Sequence, residues 1–419
     1  MSTTPGRKAG AAGPWRWHTL LLAPHRLGFF LAMVVLVAAS VWWAAVQAAR
    51  SGWLALPPPA VAPSIVHGAV MVFGFFPLFF GGFLFTGGVR WLRVPAPPAR
   101  AVAPGLCMQA AGWLLWLAGA FAGEGLALAG LAFAALGLAA TAGRFAALLR
   151  QSAEDDRAHA KAVLAALSLG CLHLAGLGMA LVLGTGTAAQ ALLVGGMWGC
   201  VALVFVAAAH RLLPFFTSAA LPHADSAWLL WLMLGSCLFE AGAAWADAFL
   251  ALPAGWAMAR GAAELACGTV LLWVAVRWAR TQSMKARLTA MLHAGFCWLG
   301  LAMCIAGADS VLAATTATPA PLPLAALHAL GMGCCGSLML AMVTRVSAGH
   351  SGRAQIADGL VWNLFRVLQA ATVLRVAAAA LASPGLLLAA AWLWCAIVTL
   401  WALRLVPWYG RPRPDGRPG

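Results

Sequence analysis

The stretch Leu27–Ala49, LGFFLAMVVLVAASVWWAAVQAA, decides the fold. It holds 23 residues without a charged side chain, and at about 1.5 Å per residue such a helix crosses the roughly 30 Å hydrocarbon core of a bilayer. It is too long for the apolar core of a signal peptide and no A-x-A type site follows it suitably, so it is expected to stay as a signal anchor. Working outward, eleven further apolar runs of comparable length are centred near residues 77, 113, 136, 173, 199, 239, 266, 298, 333, 369 and 394. They leave no room for an extramembrane domain.

Composition agrees with this reading. Of 419 residues, 63% are hydrophobic and only 9% charged, against about 25% charge in a soluble domain. The formal net charge of +15 would suggest nucleic acid if the basic residues clustered on a soluble domain. Instead they lie in short groups between apolar runs, which excludes a nucleic-acid partner and gives the orientation. One side collects 22 of the 26 Lys and Arg, leaving Arg50, Arg260, Arg366 and Arg375. The expected fold is therefore all-α: a polytopic transmembrane bundle of about twelve helices with both termini cytoplasmic. Its domain spans 19–408, flanked by basic tails, 1–18 and 409–419, that read as disordered.

The ten cysteines contain no CxxC and no CxxCH, so neither a zinc ribbon nor covalent haem attachment is written in them. Cys297 and Cys304, seven apart on one helical face, read as packing residues. There is also no nucleotide-binding glycine loop and no hydrolase elbow, and the sequence does not resolve an enzymatic reaction.

Ionisable side chains at membrane depth are costly and mark function by default. The seventh run carries Glu240 and Asp247 on one face. The eighth carries Arg260 and Glu264 at i,i+4, the geometry of an ion pair. These four are open to two readings: internal pairing, or the lining of a substrate or proton path in a secondary transporter. No internal repeat at half-length supports the transporter. Arg366 and Arg375 of the eleventh run are candidates for neutralising an anionic group, such as a haem propionate or an acidic side chain.

Histidines carry the sharper signal. His67 lies about 6 Å inside the outer edge of the second helix and His328 about 9 Å inside the outer edge of the tenth. Each has a methionine one turn on, Met71 and Met332, facing the same way. Neutral imidazole suits iron or copper at such depth, although a lone histidine on an apolar helix is usually just hydrogen-bonded to a neighbour. His210, His293 and His350 lie near the inner face, and His173 is mid-membrane. Gly81, Gly82, Gly87 and Gly88 allow the second helix to approach its neighbours.

Five segments, in order, resemble the NnrS family of haem- and copper-containing inner-membrane proteins of the bacterial nitric-oxide response. They are Pro24-His25-Arg26 with Leu27-Gly28-Phe29-Phe30, then His67-Gly68 through Pro77 with Gly82-Phe83-Leu84-Phe85-Thr86. Next come Arg211-Leu212-Leu213-Pro214-Phe215-Phe216-Thr217, then Leu292-His293-Ala294-Gly295. The fifth is Ala326-Leu327-His328-Ala329-Leu330 with Val343-Thr344-Arg345-Val346 through Arg353. Ala69 and Val70 stand where many members have a histidine and a glutamate.

The resemblance implies a b-type haem, copper, a small ligand such as nitric oxide, and a multi-pass protein of the bacterial inner membrane in contact with its lipid. On that basis His67 and His328 are the expected haem ligands, with Met71, Met332, Arg366 and Arg375 around the cofactor. His293 and His350, with His25, are candidates for a second metal or haem site. The electron donor is left open, and so is a role in handling haem or copper for other enzymes without turnover.

Overall fold

The computed structural model describes residues 13–216, 221–253, 255–315 and 323–413. Among the described residues every regular element is helical, and twelve helices are long and apolar enough to cross a membrane. They are α1 (Pro24–Arg50), α2 (Pro63–Leu92), α3 (Ala99–Ala122), α4 (Glu124–Gln151), α5 (Ala158–Val182), α6 (Gly186–Pro214), α7 (Ala227–Phe249), α8 (Trp256–Thr281), α9 (Arg287–Thr315), α10 (Leu324–His350), α11 (Gly359–Ala380) and α12 (Pro384–Tyr409). The all-α, twelve-helix expectation holds. The outward faces are apolar, as lipid contact requires: Leu136, Leu172, Val276 and Leu403 are each more than half exposed.

Burial sorts the helices into two groups. In α2, α6 and α10, 83, 89 and 72% of the apolar window is buried, against 33–56% in the other nine. Those three form the interior, and α6 touches both α2 and α10. Each also carries a π-helical turn: Leu84–Gly88 in α2, Met197–Ala202 in α6 and Ala329–Gly336 in α10. Such turns interrupt the i→i−4 ladder and are frequent at functional sites.

The outer helices pair through small residues. Along α3 and α4 the backbones meet so closely that a Cβ on Gly112 would fall 2.4 Å from the Ala134 nitrogen, and one on Gly130 2.5 Å from that of Trp116. Lipid supplies no hydrophobic drive between helices, so close backbone packing is what holds this pair.

Proline sets two local features that matter below. Pro24 and Pro63 each open a helix at its first turn, where a missing N–H costs nothing. Pro77 lacks the donor that would bond the Phe73 carbonyl, and α2 breaks at Gly74 (φ −83°, ψ −85°). A Cβ at Gly74 would sit 2.3 Å from the Val70 carbonyl oxygen, so the break requires glycine.

The tails are placed in part. Trp17–Leu22 forms a 3₁₀ turn, the Arg16 N–H donates to the Gly410 carbonyl (2.8 Å), and Trp15 Nε1 donates to Val406 O (3.4 Å). Trp15 packs on α12 and Trp17 meets Phe30 of α1, contacts that the Pro/Gly-rich composition hid. Residues 1–12 and 414–419 lie outside the described residues, as does Thr217 of the third family segment.

Candidate functional site

Consecutive spans alternate in direction, so the first turns of α2 and α10 and the α7–α8 connection share the end of the bundle opposite the termini. His67 is there, in the second turn of α2, with the Val66 carbonyl held by Trp116 Nε1 at 3.2 Å. Its ring stacks on Trp43 of α1, centroids 3.9 Å apart and planes 13° from parallel, and Arg50 covers Trp43 at 5.5 Å. The Nδ1 of His67 is buried without a hydrogen-bond partner.

His328 is anchored differently. Its Nδ1 lies 2.6 Å from the Leu324 carbonyl. A carbonyl only accepts, so Nδ1 carries the proton and the Nε2 lone pair points away, the tautomer of a metal-binding histidine. The first half of α10 packs on α9, α11 and α6, and that of α2 on α1, α3 and α6, so α6 is the neighbour they share.

Several observations place both histidines around one region. Arg375 and His328 both act electrostatically on His67, and Arg375 acts on His328. Gly68 rests against Leu193 and Gly331 against Met197, one turn apart on α6. His67, Met71, His328 and Met332 are all half-buried inside otherwise closed helices, so the accessible faces of α2 and α10 are the His/Met faces. Arg366 is not brought to them. It is exposed, and nine residues before Arg375 it points to the opposite side of α11, about 13 Å along the axis.

A second pair forms at the termini end. His25, in the first turn of α1, lies with its ring centroid 4.1 Å from that of His350, at the end of α10. Its backbone N–H donates to Thr86 Oγ1 (3.2 Å), and its Nδ1 is buried and unpaired. The surroundings are basic. Arg26, Arg90 and Arg413 act on His350, and Arg26 donates to the carbonyls of Tyr409 and Arg411, both at 2.9 Å. Just beyond α10, Arg353 is pushed below its ordinary value by partial burial and then by Arg404 and Arg411.

His293, expected beside this pair, has its ring nitrogens otherwise engaged. Gln282 Nε2 donates to Nδ1 (3.2 Å), and Nε2 meets the Cys297 thiol at 3.4 Å. His173 is a satisfied core histidine, bonded to Leu169 O (2.7 Å) and Trp245 Nε1 (3.4 Å). Among the described residues no group of three or more His, Cys, Asp or Glu is arranged around one point.

Sequence reasoning missed three partners. Trp43 sits seven residues inside the end of α1, so its depth, about 10 Å, could have flagged it against His67. Cys297 was one turn from His293. His159 opens α5 just where His210 ends α6, and their rings bond at 3.0 Å. His210 Nε2 lies 3.1 Å from the Ser226 carbonyl, so His210 is the Nε2–H tautomer and accepts from His159.

Glu240, Asp247, Arg260 and Glu264 do come together, as described below. No protein among the curated ones matches this sequence. The NnrS family model, described as NnrS protein, matches residues 19–413, which takes in all twelve spans, and the chain belongs to that family.

Proposed function

We infer that the protein is a haem-binding protein of the bacterial inner membrane serving the nitric-oxide response, with His67 and His328 as axial ligands. The observation that carries this reading is the His328 ring, fixed through Nδ1 to the Leu324 carbonyl with Nε2 unspent, in the same region as the unsatisfied His67 and Arg375. The donor set fits a haem. Two neutral imidazoles from separate helices would hold the iron, and Arg375 would provide a cation for a propionate. Met71 and Met332 supply soft apolar walls. When bound, haem would supply an iron able to pass electrons or to bind a small diatomic.

The chain's own work is orientation and exclusion. The Leu324 carbonyl holds one imidazole in its tautomer, Trp43 fixes the plane of the other, and the buried α2, α6 and α10 keep water out. Near His25, an apolar cavity of about 60 Å³ lined by Phe29, Phe79, Phe83, Met339 and Val346 among others suits a small uncharged gas.

The second site divides by chemistry. His25 and His350, ringed by arginines without a carboxylate acting on them, suit a metal that brings its own negative charge, such as a second haem, better than bare copper. For copper, the imidazole and thiol of His293 and Cys297 are the softer donors.

Purified protein loaded with haem tests the assignment by optical spectrum and haem content. The expected result is a six-coordinate spectrum in the parent chain, with haem lost or one ligand exchanged in His67→Ala and in His328→Ala separately. Unchanged spectra in both variants, or no haem binding at all, overturn it. Steady-state nitric-oxide consumption separates turnover from haem or copper handling for other enzymes.

A further inference from the structure

Away from the histidines, one guanidinium serves three carboxylates. Arg260 of α8 bonds Glu240 (2.9 Å) and Asp247 on α7, and Glu264 (2.6 Å) one turn along its own helix. With all four ionised the cluster carries a formal charge of −2 between membrane helices, where uncompensated charge is costly. Glu240 is 2% and Glu264 0% exposed.

One guanidinium gathers the two buried carboxyls, Arg260 Nη2 bonding Glu240 Oε2 at 2.9 Å and Arg260 Nε bonding Glu264 Oε1 at 2.6 Å. Both oxygens of Glu264 already accept, one from Arg260 and one from Ser310 Oγ (2.7 Å). Glu240 accepts from Arg260 through Oε2, while its Oε1 is buried and finds no donor. Two buried carboxylates on one cation leave negative charge uncompensated at membrane depth, and a proton on the unpaired Oε1 of Glu240 removes it.

We propose that Glu240 and Glu264 form an exchangeable proton-binding site, one proton held by the pair and Arg260 balancing the remaining charge. In this arrangement Glu240 is the protonated partner, because Glu264 is saturated with donors. Asp247, 44% exposed and held also by Trp256 Nε1 at 3.1 Å, is the outward end of the chain. Glu240 lies about 10 Å deeper along α7. A crevice of about 240 Å³ between α7, α8 and α9, lined by Ser236, Glu264, Cys267 and Met303 among others, reaches Glu264 from the side.

The other groups beside the cluster are Cys237 on α7, Cys267 on α8 and Ser310 on α9, with Asp309 next to Ser310 in sequence. On α6, the ionisable His210 and Arg211 sit at the opposite end. The site is independent of haem, so its test stands or falls apart from that reading.

Infrared spectroscopy of the full chain in lipid nanodiscs reads the proton directly. The expected result is the carbonyl stretch of about one protonated carboxylic acid per chain at neutral pH, shifted in D2O and fading as the medium is made alkaline. It should be absent in Glu240→Gln and retained in Asp309→Asn. A parent spectrum without a protonated carboxyl, or a band that survives both Glu240→Gln and Glu264→Gln, overturns the proposal. The parent measurement holds even if a variant fails to fold.

Discussion

Two glycines of α4 should respond to the same substitution with opposite signs. In Gly130→Ala the new methyl would stand 2.5 Å from Trp116 N and 2.6 Å from Gly112 O. Both are backbone atoms that cannot rotate away. Restoring ordinary contact near 3.5 Å moves α3 and α4 about 1 Å apart locally, and a gap of that size forfeits roughly a quarter to a half of each dispersion contact along the seam. The expected cost is about 1–3 kcal/mol.

At Gly143, on the exposed face of the same helix, nothing lies within 4 Å of the added Cβ. There alanine removes only the entropic penalty of glycine, a gain of about 0.5–1 kcal/mol. Apparent unfolding midpoints in one detergent at one scan rate, chosen because such unfolding is commonly irreversible, should differ by about 2–4 °C between the two variants. A Gly130→Ala protein that melts at or above the parent refutes the close-packed seam.

Three further outcomes follow from the sites. Arg375→Gln should speed haem loss by about tenfold, the equivalent of one charge-assisted bond of about 1.4 kcal/mol, while leaving the axial spectrum intact, as stopped-flow transfer to a haem acceptor would show. Trp43→Leu removes the ring stacked 3.9 Å from His67 and should weaken haem retention by about 2–10-fold, the worth of a stacked aromatic pair. Arg26→Met unpairs the Tyr409 and Arg411 carbonyls. It should cost about 1.5–3 kcal/mol, read as earlier melting and faster proteolysis of the C-terminal tail.

The twelve spans were legible because a bilayer demands long uncharged runs and nothing else. The break at Gly74 was legible in principle, since Pro77 forbids the bond that would bridge it. Which helices lie inside was not, because lipid and protein interior are equally apolar and Leu, Ala and Val serve both. The interior role of α6, with few polar residues in its sequence, shows this most clearly.

The depth of His67 and His328, in the first two turns of α2 and α10, was readable. Rotation about the helix axis was not: Arg366 and Arg375 read as equivalent cations, yet only Arg375 faces the histidines. Pairings between helices, His25 with His350 and His159 with His210, depend on distances that no single helix records. The four charged residues of α7 and α8 were found as a set, and their closure on Arg260 needed coordinates to see.

The two histidines proposed to hold haem are 261 positions apart in the chain, on the second and tenth spans. At roughly 5–20 residues per second of synthesis, His67 waits about 13–50 s in the bilayer before His328 exists. A porphyrin cannot be clamped during that interval, so cofactor capture belongs to a nearly finished polypeptide. Any nascent fragment that stalls before α10 holds only one of the two proposed ligands and has no grip.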